Sequence, residues 1–423
     1  MGLWFMVARR RHERSYSLMR ESLMIMHKNS LSAPRLLNGL KLLAILPPLG
    51  IAWLIYLSRG QWLQLIKRPK SFGRDPFLAF ILLLMGVTGL NLNHHDYRSV
   101  WLSLLMLFVL LNLWLLCRQT TQMISLHALR RFIIQFGLYI TISGNLFHWL
   151  NQWLTLPNWF KFLLGDLLWG YAANQNRLFG SAYNPNDACC LLLIALGLLL
   201  AQLTSQSATP IAPRTHLRNA VLVFVLSLGV YQTKSRTGLA ILAILLIVTA
   251  FQLFRRHRLW LTGLLISGSA LGWAFFPRSH SFSASLQTRL TIWHNSFDLF
   301  KQAPLLGVTY FGFARRYFRL TGTYVPHAHD ILLMLLASFG ILGGVGFLAL
   351  VVNSGWHLTK SWHEHQQPNL RYFIMTLPII LAYGLTDFVL SSLQVLIIIF
   401  LLVAYWHREQ QVSRQLALDP AKY

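Results

Sequence analysis

The chain has 423 residues, of which 55% are hydrophobic and only 12% are charged, and its mean hydropathy is +0.49. Because a soluble domain carries about 25% charged residues, this composition excludes a large soluble domain and predicts an integral membrane protein. The net charge of +25 does not indicate nucleic acid, since most basic residues flank apolar runs, as topological signals beside anionic lipid headgroups do.

The apolar runs predict an all-α, polytopic membrane protein with about eleven to twelve transmembrane helices. Residues 1–41 form a basic N-terminal segment, 42–406 a transmembrane domain and 407–423 a cytoplasmic tail. The spans predicted in chain order are 42–58, 76–93, 100–117, 132–150, 187–204, 219–233, 237–254, 259–277, 331–353, 373–387 and 392–406.

The distribution of basic residues predicts the orientation of these spans. If the segment after residue 277 is external, the cytoplasmic loops and the tail carry eighteen Lys and Arg, whereas the short external loops carry five. This asymmetry follows the positive-inside rule. We therefore expect a long extracytoplasmic loop over about 278–330 that contains short amphipathic helices.

The N-terminal segment conflicts with this orientation, because counting back places the eight basic residues of 1–41 outside. Three explanations stay open. Residues 36–58, interrupted by Pro47 and Pro48, enter and leave on the same side, or the chain makes an additional crossing, or translation starts at a later methionine such as Met26.

Two external segments are long enough to hold a functional site. Segment 151–186 is rich in aromatic and apolar residues, which predicts helices lying at the headgroup level. Segment 278–330 carries six basic residues, only two acids, Asp298 and Asp330, and four histidines. Because long loops are outside the positive-inside rule, this charge indicates an anionic external ligand.

The sequence His327-Ala-His329-Asp330 lies directly before a predicted span. These residues could simply cap the helix, with Asp330 complementing the helix dipole. A metal site is a second interpretation, but the sequence shows no further cluster that would complete the ligands, so no metal is predicted. As a third interpretation, His329 is a general base and His327 supports it.

Three arginines are predicted on the same side of the membrane as His329. Arg236 opens an apolar helix, Arg289 begins an amphipathic helix, and Arg177 precedes a turn in which Asn186 is a candidate N-cap. Each arginine alone could be an interfacial or solvated residue. Together they predict a site for a lipid-linked diphosphate, because planar guanidinium groups bind diphosphates well.

The order of motifs resembles the O-antigen ligase and polymerase superfamily, whose members are multispan glycosyltransferases. The resemblance covers about 170 residues, from 177 to 346, and rests on the following pieces: RLFGSAYNPNDA (177–188), TKSRTGLA (233–240), RLTIW (289–293), APLLGVTYFGF (303–313) and HAHDILLMLLASFGILGGVG (327–346). Asp330 departs from the family pattern, which usually has Asn after the histidine.

The resemblance implies metal-independent, inverting glycan transfer from an undecaprenyl-diphosphate-linked oligosaccharide, without a cofactor, in the assembly of bacterial surface polysaccharide. It implies that His329 activates the hydroxyl of a glycan or lipid-glycan acceptor, whereas Arg236 and Arg289 hold the diphosphate. It also implies a location in the bacterial cytoplasmic membrane, with the site facing outside. Repeat-unit polymerase and ligase activities both remain open.

Two other classes of function are considered. A transporter or flippase of lipid-linked oligosaccharides usually has ionisable residues inside its spans and two related halves, and the sequence shows neither clearly. A membrane scaffold without catalytic activity would leave the pattern of arginines and histidines unexplained.

Overall fold

The computed structural model describes residues 31–67, 75–91, 96–165, 177–205, 213–257, 262, 282–364 and 369–418. Over these ranges the chain forms helices and no strand, which confirms the predicted all-α fold. The α-helices are α1 Ala33–Ile45, α2 Pro47–Ser58, α3 Leu63–Lys67, α4 Pro76–Leu90, α5 Tyr97–Met123, α6 Leu126–Trp153, α7 Asn158–Leu163, α8 Pro185–Ser205, α9 Pro213–Gln232, α10 Arg236–Leu253, α11 Phe282–Gln302, α12 Tyr310–Thr321, α13 Ile331–Glu364, α14 Leu370–Gly384 and α15 Leu393–Leu418.

The polytopic character of the protein is also confirmed. Among the described residues, five helices are long and apolar enough to cross a membrane, namely α5, α8, α10, α13 and α15. The helices α4 and α14 are apolar but shorter. The predicted span over 259–277 and most of the basic N-terminal segment lie outside the described residues, apart from Thr262 and residues 31–41.

Helix α8 forms the centre of the bundle. Every side chain from Asp187 to Ala201 is buried, as expected for a helix that is apolar on all faces and enclosed by other helices. Glycine allows α8 and α14 to approach closely. A Cβ at Gly197 would lie only 2.6 Å from the Met375 carbonyl oxygen, so there is no space for a larger residue at this contact. The tight packing of α8 fixes the position of its first turn, where the candidate site begins.

The predicted single span over 42–58 is wrong. Helix α1 ends at Ile45 and α2 begins at Pro47, and the two helices form an antiparallel hairpin. The Trp53 indole N–H donates to the Arg35 carbonyl at 3.2 Å, and Gly50 lies against the backbone of Leu43. This hairpin has the geometry required by the explanation in which 36–58 enters and leaves on the same side, and that sidedness stays a prediction.

Helix α13 is broken at Gly340, whose φ of +65° and ψ of −163° are not helical. The segment between α11 and α12 fits into this break. The amides of Val308 and Thr309 donate to the carbonyls of Ala337 and Ser338, each at 2.8 Å, and the amide of Ile341 donates to Pro304 at 2.8 Å. A broken helix leaves backbone amides and carbonyls without partners inside the helix. The segment over 303–313 supplies those partners, which gives this motif a structural role.

Glycine at this junction is required sterically as well as conformationally. A Cβ at Gly307 would overlap the backbone of Ser338, and a Cβ at Gly340 would overlap the backbone of Leu305. Both glycines also have a positive φ, which side-chain-bearing residues rarely adopt.

We predict that Gly307→Ala and Gly340→Ala each destabilise the folded protein by at least about 2 kcal/mol, through strain at a positive φ and the steric overlap. The measurement is thermal unfolding of the detergent-purified protein. Gly86→Ala in helix α4 is the matched control, since a Cβ there meets no atom within 4 Å. Equal unfolding temperatures for all three variants would contradict the proposed junction.

Candidate active site

Four helix ends meet at the candidate site. They are the first turns of α8 and α10, the segment before α13 and the segment after α14. Of the predicted site residues, Arg236 comes from α10, His327 and His329 from the segment before α13, Arg289 from α11, and Arg177 from the segment before α8. The fourth helix end contributes Asp387, which the sequence analysis did not select as a site residue.

His329 and Asp387 form the central pair. The Nδ1 atom of His329 lies 2.8 Å from Oδ1 of Asp387. Because a carboxylate can only accept, Nδ1 carries the proton and donates, which leaves Nε2 of a neutral imidazole as an acceptor. His329 has a φ of +53°, a conformation that is uncommon for a non-glycine residue and is often found at functional sites.

Asp387 is kept ionised by its neighbours. Burial alone would raise the pKa of Asp387, but the hydrogen bond from His329 and the charges of His329, His327 and Arg289 lower it to about 2. The Phe388 amide also donates to Oδ1 at 2.9 Å, and Asn186 Nδ2 donates to Oδ2. The carboxylate is therefore negatively charged throughout the physiological pH range.

His327 lies beside this pair, and its ring centroid is 4.4 Å from that of His329. Burial, followed by the charge of His329, lowers the pKa of His327 to about 4, with Asp387 acting in the opposite direction. His327 is therefore neutral at neutral pH. The side chain of His329 is 27% exposed, so His329 is the more accessible imidazole of the two.

Asp330 caps helix α13, as the simplest interpretation of the sequence predicted. Its Oδ1 accepts the amide of Leu333 at 2.8 Å. The aspartate that stands here in place of the asparagine of the family pattern is not the partner of His329, because Nδ1 of His329 bonds to Asp387. Burial raises the pKa of Asp330, and its bonds to backbone amides oppose that change.

Asn186 has a role different from the predicted N-cap. Helix α8 begins with Pro185, and the side chain that accepts an amide of the first turn belongs to Asn184, whose Oδ1 lies 2.9 Å from the Asn186 amide. A proline in the first position of a helix is typical. The side chain of Asn186 instead connects Arg177 with Asp387.

Arg177 and Asp387 bond to opposite ends of the Asn186 side-chain amide. Its Nε donates to the Thr233 carbonyl at 2.7 Å, and its Nη2 donates to Asn186 Oδ1 at 2.8 Å. These bonds hold the guanidinium between the first turn of α8 and the end of α9. Arg177 also lines a cavity that extends from the site into the bundle.

Arg236 occupies the first position of α10 and is half-buried. The preceding Ser235 caps the helix by accepting the Gly238 amide at 3.2 Å, and its hydroxyl is 2.8 Å from the hydroxyl of Tyr383. Since the Tyr383 carbonyl accepts the amide of Asp387 at 3.0 Å, this contact connects the start of α10 with the loop that carries Asp387.

Arg289 lies within α11, which the structure describes from Phe282, so the predicted helix start at 289 is wrong. The Trp293 indole N–H, one turn further along, approaches the His329 carbonyl at 3.4 Å. Residues four apart share a helix face, so this contact directs the face of Arg289 toward the histidine segment. The charge of Arg289 reaches Asp387 and lowers the pKa of its carboxyl group.

A cavity of about 1180 Å³ connects the site with the interior of the bundle. Arg177, Asn186, His327 and His329 form part of its polar lining. Most of the remaining lining is apolar and comes from α4, α5, α13 and α15, as far as Trp406. A molecule with a polar head and a long apolar tail suits such a cavity.

His327, His329 and Asp387 could also hold a metal ion. One potential ligand atom from each lies within 4.8 Å of the others. The sequence around the histidine pair shows no third ligand, but the fold supplies one in Asp387. Two imidazoles and one carboxylate form a ligand set that suits zinc with an open position, so the function of this cluster has to be tested with a chelator.

Residues 221–348 match the protein family described as O-Antigen ligase. The predicted resemblance is confirmed. The matched stretch contains Arg236, Arg289, His327 and His329, whereas Arg177 and Asp387 lie outside it. Similarity to O-antigen ligases supports a glycosyltransferase-type membrane enzyme that acts in extracytoplasmic glycan transfer during polysaccharide assembly. No curated protein matches the chain.

Proposed function

We propose that this protein transfers a glycan from an undecaprenyl-diphosphate-linked donor to the hydroxyl of a glycan or lipid-glycan acceptor, on the outer side of the bacterial cytoplasmic membrane. The contact between His329 and Asp387 carries the proposal, because a buried carboxylate that orients an imidazole is an arrangement suited to general base catalysis. The family match over 221–348 supports the class of reaction.

In the proposed reaction, Nε2 of His329 accepts the proton of the acceptor hydroxyl, and the resulting oxygen nucleophile attacks the anomeric carbon of the donor sugar. The bond between this carbon and the diphosphate oxygen breaks, its electron pair leaves with the lipid diphosphate, and the configuration inverts. The negative charge of Asp387 stabilises the imidazolium that forms.

Arg236 and Arg289 are proposed to bind the diphosphate. Arg236 begins α10, whose capping residue Ser235 contacts Tyr383, and the charge of Arg289 reaches Asp387. Guanidinium groups can stabilise the negative charge that develops on the leaving diphosphate, so the reaction requires no metal ion. The apolar part of the cavity would accommodate part of the isoprenoid chain.

We predict that His329→Ala reduces glycan transfer by about a hundredfold to ten-thousandfold, because the acceptor hydroxyl then keeps its proton. His327→Ala is expected to have a smaller effect. The assay uses purified protein, the lipid-linked glycan extracted from host cells that lack this protein, and membranes of those cells as acceptor. Wild-type protein is assayed with and without EDTA. Loss of activity with EDTA and its recovery with zinc would replace the base mechanism with a metal site, and full activity of both alanine variants would exclude a catalytic role for the pair.

The pH profile should identify which group must be deprotonated. The pKa of Asp387 is about 2 and that of His327 is about 4, so neither group explains a loss of activity above pH 5. Asp387→Asn removes the charge that favours imidazolium, so activity should fall and the acid limb of the profile should move to lower pH. An unchanged acid limb in this variant would contradict the pairing.

The proposed orientation is tested by cysteine labelling in intact cells. In a background that lacks the three native cysteines, Ser283→Cys should react with a membrane-impermeant thiol reagent, whereas Thr359→Cys should not. Both positions are exposed in the structure, so accessibility within the protein is matched. Labelling of position 359 alone would place the site in the cytoplasm and exclude an external donor.

A further inference from the structure

A continuous chain of hydrogen bonds runs from Arg177 to the candidate base. Arg177 Nη2 donates to Asn186 Oδ1 at 2.8 Å, and Asn186 Nδ2 donates to Asp387 Oδ2. The other oxygen of Asp387 lies 2.8 Å from Nδ1 of His329. The chain joins residues that are 152 positions apart, between 177 and 329.

The orientation of the Asn186 amide is determined by this chain. A side-chain amide has one accepting and one donating end, and a flip by 180° exchanges them. In the flipped state the amide nitrogen would face the Arg177 donor, and the amide oxygen would face the Asp387 carboxylate. Both contacts would then be repulsive, so the donor from Arg177 selects the orientation in which the amide N–H points at Asp387.

Arg177 is itself held in place by the backbone. Its Nε donates to the Thr233 carbonyl at 2.7 Å, and the next amide, that of Leu178, donates to the Gln232 carbonyl at 2.9 Å. The segment is thus attached to the end of α9, next to the start of α10. The direction of the guanidinium is fixed by contacts inside the protein.

We propose that Arg177 and Asn186 are positioning residues, which orient Asp387 so that its Oδ1 fixes the tautomer and ring direction of His329. This inference rests on the proposed function of His329. It replaces the predicted role of Arg177 as a ligand of the donor diphosphate, which Arg236 and Arg289 keep. A carboxylate held at Oδ2 cannot rotate away from the imidazole without breaking the bond to Asn186.

The pH profile of each variant depends on the charged and titratable groups around Asp387, so the variants are chosen with these groups in mind. These groups are His329 and His327 from the segment before α13, Arg289 from α11, Tyr383 from α14, and Asp187 and Cys190 from α8. Arg177 also carries charge, so its removal would change the pH profile through the loss of that charge. Arg177→Lys keeps the positive charge but loses the planar group that reaches Thr233 and Asn186 together.

We expect Arg177→Lys and Asn186→Leu to lower kcat on the order of tenfold to a hundredfold, because the base is misplaced. The KM for the lipid-linked glycan extracted from host cells lacking this protein should not change. The acid limb of the pH profile should move to lower pH in both variants, in the direction expected for Asp387→Asn. Arg289→Ala is the comparison for a diphosphate contact, and its KM for the same extract should rise.

A double-variant cycle provides the decisive measurement. If both residues act through Asp387, Arg177→Lys combined with Asn186→Leu should lose little more activity than either change alone. If the losses of activity of the two single variants multiply in the double variant, the two residues act independently and the inference is overturned. A raised KM for the donor with an unchanged acid limb in Arg177→Lys would also overturn it, and would return Arg177 to the diphosphate site. Reduced activity with an unchanged acid limb and an unchanged KM in both variants would show a merely structural role and would also overturn it.

The outcome for His329 separates this inference from the proposed function. If His329→Ala abolishes transfer but both positioning variants keep the wild-type pH profile and kcat, the inference alone fails. If His329→Ala is fully active, the proposed function fails. Unfolding temperatures of all variants are measured in parallel, and Arg177→Lys serves as the conservative variant if Asn186→Leu does not fold.

Discussion

The hydrogen bond between His329 and Asp387 depends on the packing of the whole bundle. The two residues are 58 positions apart and lie on the segments before α13 and after α14. Helix α14 packs against the buried α8, which also carries Asn186, so the carboxylate has a defined position relative to both partners. The buried negative charge is stable there because hydrogen-bond donors and basic groups surround it.

The electrostatics of the site follow from a small number of acidic residues. The chain has twelve Asp and Glu against thirty-seven Lys and Arg, and one of these few acids is placed between the histidines and the arginines. In the proposed reaction, an anionic donor would meet the arginines, whereas the candidate base His329 meets a carboxylate. This separation allows attraction of a diphosphate and stabilisation of an imidazolium within one site.

The fold class was predictable because long apolar runs with little charge are sufficient to predict helices buried in lipid. The motifs also singled out Arg236, Arg289 and His329 as candidate site residues. Asp387 was not predicted as a site residue, because it ends an apolar run and its role depends on contacts with residues far away in the sequence. The available signal was an acid beside a glycine-containing end of an apolar span, where ionisable residues are often functional. The helical hairpin of α1 and α2 was one of three open explanations, since the two prolines mark a break but not its angle.

The junction at Gly340 has a consequence for helices α11 and α12. The segment after α11 is bonded into the broken helix α13, α12 is attached to α5 through the ion pair of Arg315 with Asp96 at 2.8 Å, and Trp293 contacts the histidine segment. These attachments at three places join α11 and α12 to the rest of the described bundle. In the proposed reaction, Arg289 would therefore already be in position before a substrate arrives, because its helix is held by contacts inside the protein rather than by the substrate.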